Sequence, residues 1–203
     1  MNELIMLVGL PASGKSTWAK EYSETHPDYI VHSSDKLREE MYGDNYDDAD
    51  NSKVFEELHR RILEDLKMHS VIYDATNLVK KRRVHFLKGV PKHVYKTCVM
   101  FLKTYEKCLK DNSKRENSVP DEVITRMRKV FSPPMYHEGF NEIRVVQDDH
   151  KDIKELIDMV LIQPVVKQLQ LPVAVEVTHL ALLEDLVTFI LLLQPLITRQ
   201  VVY

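Results

Sequence analysis

Gly9-Leu10-Pro11-Ala12-Ser13-Gly14-Lys15-Ser16-Thr17 decides the fold, because it fits the pattern G-x-x-x-x-G-K-[ST] with an apolar run, Leu4 to Val8, before it and a helix-like segment after it. A loop of this spacing turns successive backbone N–H groups inward around an anionic phosphate, and side chains that are bulky or restricted in φ would block the turn. Gly9 and Gly14 are read as supplying that freedom, with Pro11, Ala12, Ser13 and Thr17 completing the cradle. Lys15 is placed to reach the β- and γ-phosphates, and Ser16 offers a hydroxyl to Mg²⁺. The helix start adds a partial positive charge of about half an electron. The pattern calls for a nucleoside triphosphate with Mg²⁺.

Composition sets the limits. A chain of 203 residues with 44% hydrophobic content can bury one good core, and a net charge of −3 denies it a basic field over the whole surface, so any grip on nucleic acid must be local. Cys98 and Cys108 show no CxxC and no histidine at metal-ligand spacing, which fits a reduced, cytoplasmic setting better than a disulfide framework. The short N-terminal apolar run carries Glu3 and flows directly into the loop, which argues against a signal peptide.

Outward from the loop, the pattern alternates between strand and helix. Strands are expected at 4–9, 29–32, 71–74, 94–102 and 142–146. Helices are expected from Lys15 to Tyr22, from about Ser34 or Asp35 to Met41, from about Ser52 to His69, from Tyr105, and, with Pro120 near its first turn, through about Phe131. That alternation behind a phosphate loop predicts an α/β P-loop fold, a parallel five-stranded sheet in three layers with helices on both faces. Residues 1–147 form the expected domain. Residues 148–203 are a tail expected to be helical, apolar and charge-poor from about Met159, with Glu184-Asp185 and Pro195 breaking any membrane-length run. A helix pair on the core, a homo-oligomer surface and a remnant of a second domain are three readings of that tail.

Phosphoryl transfer also needs an acid for the metal shell, a group to take the acceptor's proton, and cations for the transferring phosphoryl. Asp74 closes the third strand and is the expected metal-shell acid with Ser16. Asp35 follows the second strand on the ligand-binding edge of the sheet and is the expected general base, with Arg38 three residues on and able to share a helix face with it. The polar run 111–119 and the helix after it read as a lid whose cations are Lys114, Arg115, Arg126, Arg128 and Lys129. The acidic run 43–50 lacks the periodic ligands of a calcium loop and reads as a solvated loop.

The same residues carry a family likeness. The phosphate loop through Ala19, Ser34-Asp35-Lys36-Leu37-Arg38, Asp74-Ala75-Thr76-Asn77-Leu78 with Arg82-Arg83, and Asn112-Ser113-Lys114-Arg115 through Val119-Pro120 together resemble the phage-type polynucleotide 5′-hydroxyl kinases over about residues 1–146. The resemblance implies ATP-dependent phosphorylation of the 5′-OH ends of DNA or RNA, as in nucleic acid end repair. Asp35 would be the base, Arg38 would sit on the phosphate next to the acceptor nucleotide, and Lys15 and Ser16 on ATP and Mg²⁺. Asp74, Thr76 and Asn77 are counted with the acceptor site, and Arg115 and Arg126 with ATP. The family's lid arginine falls on Thr125 without gaps, so its charged neighbour Arg126 takes the role. Arg82 or Arg83 would add substrate contacts. The tail shows neither a D-x-D-G-T motif nor paired His-Asp ligands, so no 3′-phosphatase activity is expected. A P-loop kinase of a small metabolite or nucleotide sugar, and a non-catalytic ATP-binding assembly module, are the alternatives.

Overall fold

The computed structural model of the chain describes residues 2–43 and 49–147. The tail and most of the acidic run lie outside the described residues.

Five strands form one sheet: β1 (Glu3–Val8), β2 (Tyr29–Ser33), β3 (Ser70–Asp74), β4 (Tyr95–Leu102) and β5 (Glu142–Gln147). Their order is β2-β3-β1-β4-β5 and all neighbours are parallel, as the alternating pattern predicts. Six α-helices join them: α1 (Lys15–Thr25), α2 (Ser34–Tyr42), α3 (Asn51–Asp65), α4 (Lys80–Gly89), α5 (Tyr105–Asn112) and α6 (Asp121–Val130).

Alternation along β1 explains why both faces of the sheet are covered. Leu4, Met6 and Val8 point to one side, where they pack with Leu37 of α2, Val54, Leu58 and Ile62 of α3, and Phe86 and Leu87 of α4. Ile5 and Leu7 point to the other, against Ala19, Trp18 and Tyr22 of α1. A third, smaller cluster of Leu10, Leu78 and Cys108 roots the segment after β4, with Tyr105, Met127 and Phe131 packed on it. Among the described residues no helix is long and apolar enough to cross a membrane.

Several boundaries differ from expectation. α3 stops at Asp65, four residues short of His69, whereas Pro120 stands at the residue before α6, near its first turn as expected. Helix α4 was not foreseen at all, because its first turn is the charged run Lys80-Lys81-Arg82-Arg83.

That run also holds a correction. Arg83 makes no surface contact with substrate, because its side chain is fully buried and forks onto Glu138, itself fully buried, at 2.8 and 2.7 Å. The remaining guanidinium protons go to the carbonyls of Asn77, Leu78 and Pro133. The pair clamps the end of β3, the start of α4 and the segment before β5 together. Removing one partner of such a pair leaves an uncompensated buried charge, so Glu138→Ala should lower the unfolding free energy by about 3–5 kcal/mol in urea titration.

Candidate active site

The C-terminal ends of β2, β3 and β1 meet at one edge of the sheet, and the register there is direct. Ser33 pairs with Asp74 across β2 and β3, and Met6 pairs with Tyr73 across β1 and β3. The edge where ligands bind in open parallel sheets therefore carries the phosphate loop, Asp74 and the start of α2 side by side.

The loop obtains its shape in a way the sequence reading only half anticipates. The left-handed backbone lies at Ala12 (φ 59°) and Gly14 (φ 99°). Gly9 is needed for a different reason, close approach: a Cβ there would stand 2.8 Å from Ser13 Oγ and 3.0 Å from Phe101 Cβ. The Gly9 amide donates to the Thr76 carbonyl at 3.1 Å, and Asn77, itself left-handed at φ 46°, donates its amide to the Leu7 carbonyl at 2.9 Å. Thr76 and Asn77 thus brace the base of the loop.

Lys15 is buried, and its ammonium donates to the Leu10 carbonyl at 2.6 Å and to Ser13 Oγ at 3.3 Å. Burial pushes its pKa down to about 8, against the opposing pull of the Asp74 carboxylate, of Cys108 and of Asp35, while Arg115 adds to the lowering. Asp74, only 4% exposed, is pushed up by burial, while a hydrogen bond from Ser16 and the charge of Lys15 hold it back and Asp35 adds to the rise. A carboxylate hydrogen-bonded to a hydroxyl beside the phosphate cradle is a hard oxygen donor set that fits Mg²⁺. No group of three or more His, Cys, Asp or Glu suited to a metal occurs among the described residues. The ion's other positions would fall to water and phosphate oxygens, as is usual for Mg²⁺.

Asp35 lies in the first turn of α2, where Ser33 rather than Ser34 or Asp35 occupies the capping position. Arg38 Nη1 donates to Asp35 Oδ1 at 3.0 Å and Arg38 Nη2 to Asn51 Oδ1 at 2.9 Å. The charge of Asp35 is felt at both Lys15 and Asp74, so the two halves of the site share one field.

The lid segment is less uniform than its charge run implies. Asn112 is buried and closes the loop by donating to the Val119 carbonyl at 2.7 Å and accepting from the Val119 amide at 3.0 Å. Arg115 is exposed and its charge reaches Lys15. Arg126 is exposed on α6. Its neighbour Thr125 shares a hydrogen bond with the Tyr105 hydroxyl at 2.6 Å, and Arg128 stands 4.7 Å over the Tyr105 ring. A cleft of about 230 Å³ flanks the loop, lined by Ser13, Gly14, Thr17, Trp18, Glu21 and the ends of β4 and β5.

Comparison with known proteins agrees with this geometry. Residues 4–134 match the AAA domain family, and the chain belongs to it. Its fold is the P-loop kinase one. An L-seryl-tRNA(Sec) kinase from Methanococcus maripaludis is 29% identical over 171 residues, covering 78% of this chain and 64% of that protein; the chain thus spans less than two thirds of that relative's length. The fold is also that of a gluconokinase from Sinorhizobium meliloti 1021 (14% identity, TM-score 0.53, 83% of this chain and 95% of that one). It is shared with a chain of the Pnkp1/Rnl/Hen1 RNA repair complex (24% identity, TM-score 0.52, 62% of this chain and 42% of that one). The family implies ATP and typically Mg²⁺.

Lys15 sets the pH response of the cradle. Above pH about 8 its ammonium gives up the proton that a phosphate needs, so triphosphate affinity should fall with rising pH, at the steepest about tenfold per pH unit. Calorimetric titration from pH 7.5 to 9.5 should show this decline, and Lys15→Arg, which keeps its proton, should flatten it.

Proposed function

We propose that the chain is a polynucleotide 5′-hydroxyl kinase, transferring the γ-phosphate of ATP to the 5′-OH end of DNA or RNA. The observation that carries this reading is the pairing of Asp35 with Arg38 at the tip of β2, electrostatically coupled to the Lys15 cradle. Asp35 accepts the proton of the acceptor hydroxyl as its oxygen attacks the γ-phosphorus. The bond from that phosphorus to the β-bridging oxygen breaks, and its electron pair leaves with ADP. Lys15 and the loop amides hold the β- and γ-phosphates in line, and Arg115 and Arg126 close over the transferring group. Bound between Ser16 and Asp74, Mg²⁺ would offset phosphate charge. Arg38 takes the phosphate beside the acceptor nucleotide.

A nucleic acid acceptor is supported by the surface next to the site. Lys80, Lys81 and Arg82 are exposed on the first turn of α4, at the neighbouring strand end and on the same face as α2, and none makes an ion pair with a described carboxylate. A local cationic strip of this kind suits a phosphodiester backbone and accommodates the overall charge of −3. The Pnkp1 repair complex among the structural neighbours points the same way.

A kinase acting on a hydroxyl carried by tRNA is the second reading, favoured by the identity with the L-seryl-tRNA(Sec) kinase. Incubation with γ-labelled ATP and 5′-OH DNA, 5′-OH RNA, seryl-tRNA or gluconate separates them. Label should enter the oligonucleotides, and Asp35→Asn should slow transfer by about 10²–10⁴ while leaving ATP affinity intact. Label in seryl-tRNA or gluconate alone would overturn the assignment.

A further inference from the structure

The cations beside the site continue past the first turn of α4. Between Asp74 and Glu106 the sequence holds no Asp or Glu and eight Lys or Arg, in a chain where acids outnumber those cations 31 to 28. Three of the eight are engaged by the fold: Arg83 by buried Glu138, Lys96 by the carbonyls of Pro91 and Val94, and Lys103 by Asp111. The other five, Lys80, Lys81, Arg82, Lys88 and Lys92, are exposed, and none makes an ion pair with a described carboxylate. Lys80 donates to His137 Nε2 at 2.6 Å and keeps its charge. Lys81 and Lys88 share one helix face about 10 Å apart along its axis, and Lys92 lies in the turn that follows. The neighbouring helix is arranged otherwise. α3 packs on α4 through His59 and Phe86, whose rings stand 4.4 Å apart, and its outer cations meet acids: Arg60 on Glu57, Arg61 on Glu57 and Glu40, Lys53 on Asp50. Helix stability does not account for the difference, because cations in a first turn oppose the helix dipole and α4 has no acid in that turn to offset them.

Position makes this ridge an extension of the site. Only residues 75–79 separate α4 from Asp74, and Asn77 among them is bonded to the Leu7 carbonyl at the base of the phosphate loop. Because β3 and β4, which α4 joins, both run parallel to β1, the helix returns from the ligand-binding edge toward the opposite one. We propose that the ridge carries the body of the acceptor nucleic acid, whose phosphodiester backbone passes from the reacting end along Lys81 and Lys88 to Lys92. Phosphates of one strand lie about 3.4 Å apart along a helical axis, so this length faces about three of them. The inference rests on the reading of the acceptor as nucleic acid, and adds that several nucleotides behind the reacting end contribute to its binding.

Two measurements on the full-length chain test it: fluorescence anisotropy with a 3′-labelled, single-stranded 5′-OH oligonucleotide of about 12 nucleotides across about 50–200 mM salt, and transfer to that oligonucleotide and to a 5′-OH dinucleotide. The ridge variant combines Lys81→Gln, Lys88→Gln and Lys92→Gln. A control combines Lys20→Gln, Arg60→Gln and Lys67→Gln, which removes the same charge from cations that pair with Glu24, Glu57 and Glu64. The ridge variant should bind the oligonucleotide about tenfold or more weakly, with a salt slope shallower by about two, since each single-strand contact contributes about 0.7. KM for the oligonucleotide should rise in step, while kcat, KM for ATP and transfer to the dinucleotide stay at wild type and show the variant to be folded. Wild-type affinity and slope in the ridge variant, an equal loss in the control, or an equal loss on the dinucleotide overturns the ridge. A wild-type chain that binds the oligonucleotide through the ridge but transfers no phosphate to it overturns the kinase reading alone, and one that does not bind it overturns both.

Discussion

An ammonium and a carboxylate buried at the ends of neighbouring parallel strands constrain everything else in this molecule. Lys15 follows β1 and Asp74 ends β3, and each is shifted toward its neutral form by burial while the other's charge pulls it back. Ions removed from water in this way cost several kcal/mol each unless their surroundings compensate them. The loop carbonyl of Leu10, the hydroxyl of Ser13 and the field of Asp35 do so for Lys15, and the hydroxyl of Ser16 does so for Asp74. A triphosphate brings the negative charge Lys15 lacks, which is why the site's chemistry and its electrostatics point to the same ligand class.

The parallel sheet converts that local constraint into an active-site geometry. Because β2, β3 and β1 end at one edge, Asp35, Asp74 and the phosphate loop come together without any long loop to carry them. The brace from Asn77 to Leu7 and the buried Arg83–Glu138 pair then tie that edge to α4 and to the segment before β5. The two flanks of that edge are held by separate devices, α2 with α3 on one and the root of α5 and α6 on the other.

What was legible in the sequence was what the backbone imposes at short range. Phosphate loop spacing, the five strands and the positions of Asp35 just after β2 and Asp74 at the end of β3 all follow from periodicity and turn chemistry within a few residues. Arg83 was misread because its partner Glu138 lies 55 residues away and nothing local distinguishes a buried arginine from three exposed cations before it. The contact between Arg38 and Asn51 is not legible locally because it joins two helices, although Asp50-Asn51-Ser52 ahead of an apolar helical pattern is a recognisable capping signal. Gly9 was credited with backbone freedom, whereas the contact with Phe101, 92 positions on, is what excludes a side chain there.

The central claim is that Asp35 and the Lys15 cradle grip a nucleic acid end and a triphosphate at once. A crystal structure with a non-hydrolysable ATP analogue and a 5′-OH oligonucleotide measures this directly. The account predicts the terminal O5′ within about 2.6–3.2 Å of an Asp35 oxygen and facing a γ-phosphate held by Lys15. An O5′ bound away from Asp35, with another group at its side, would contradict it.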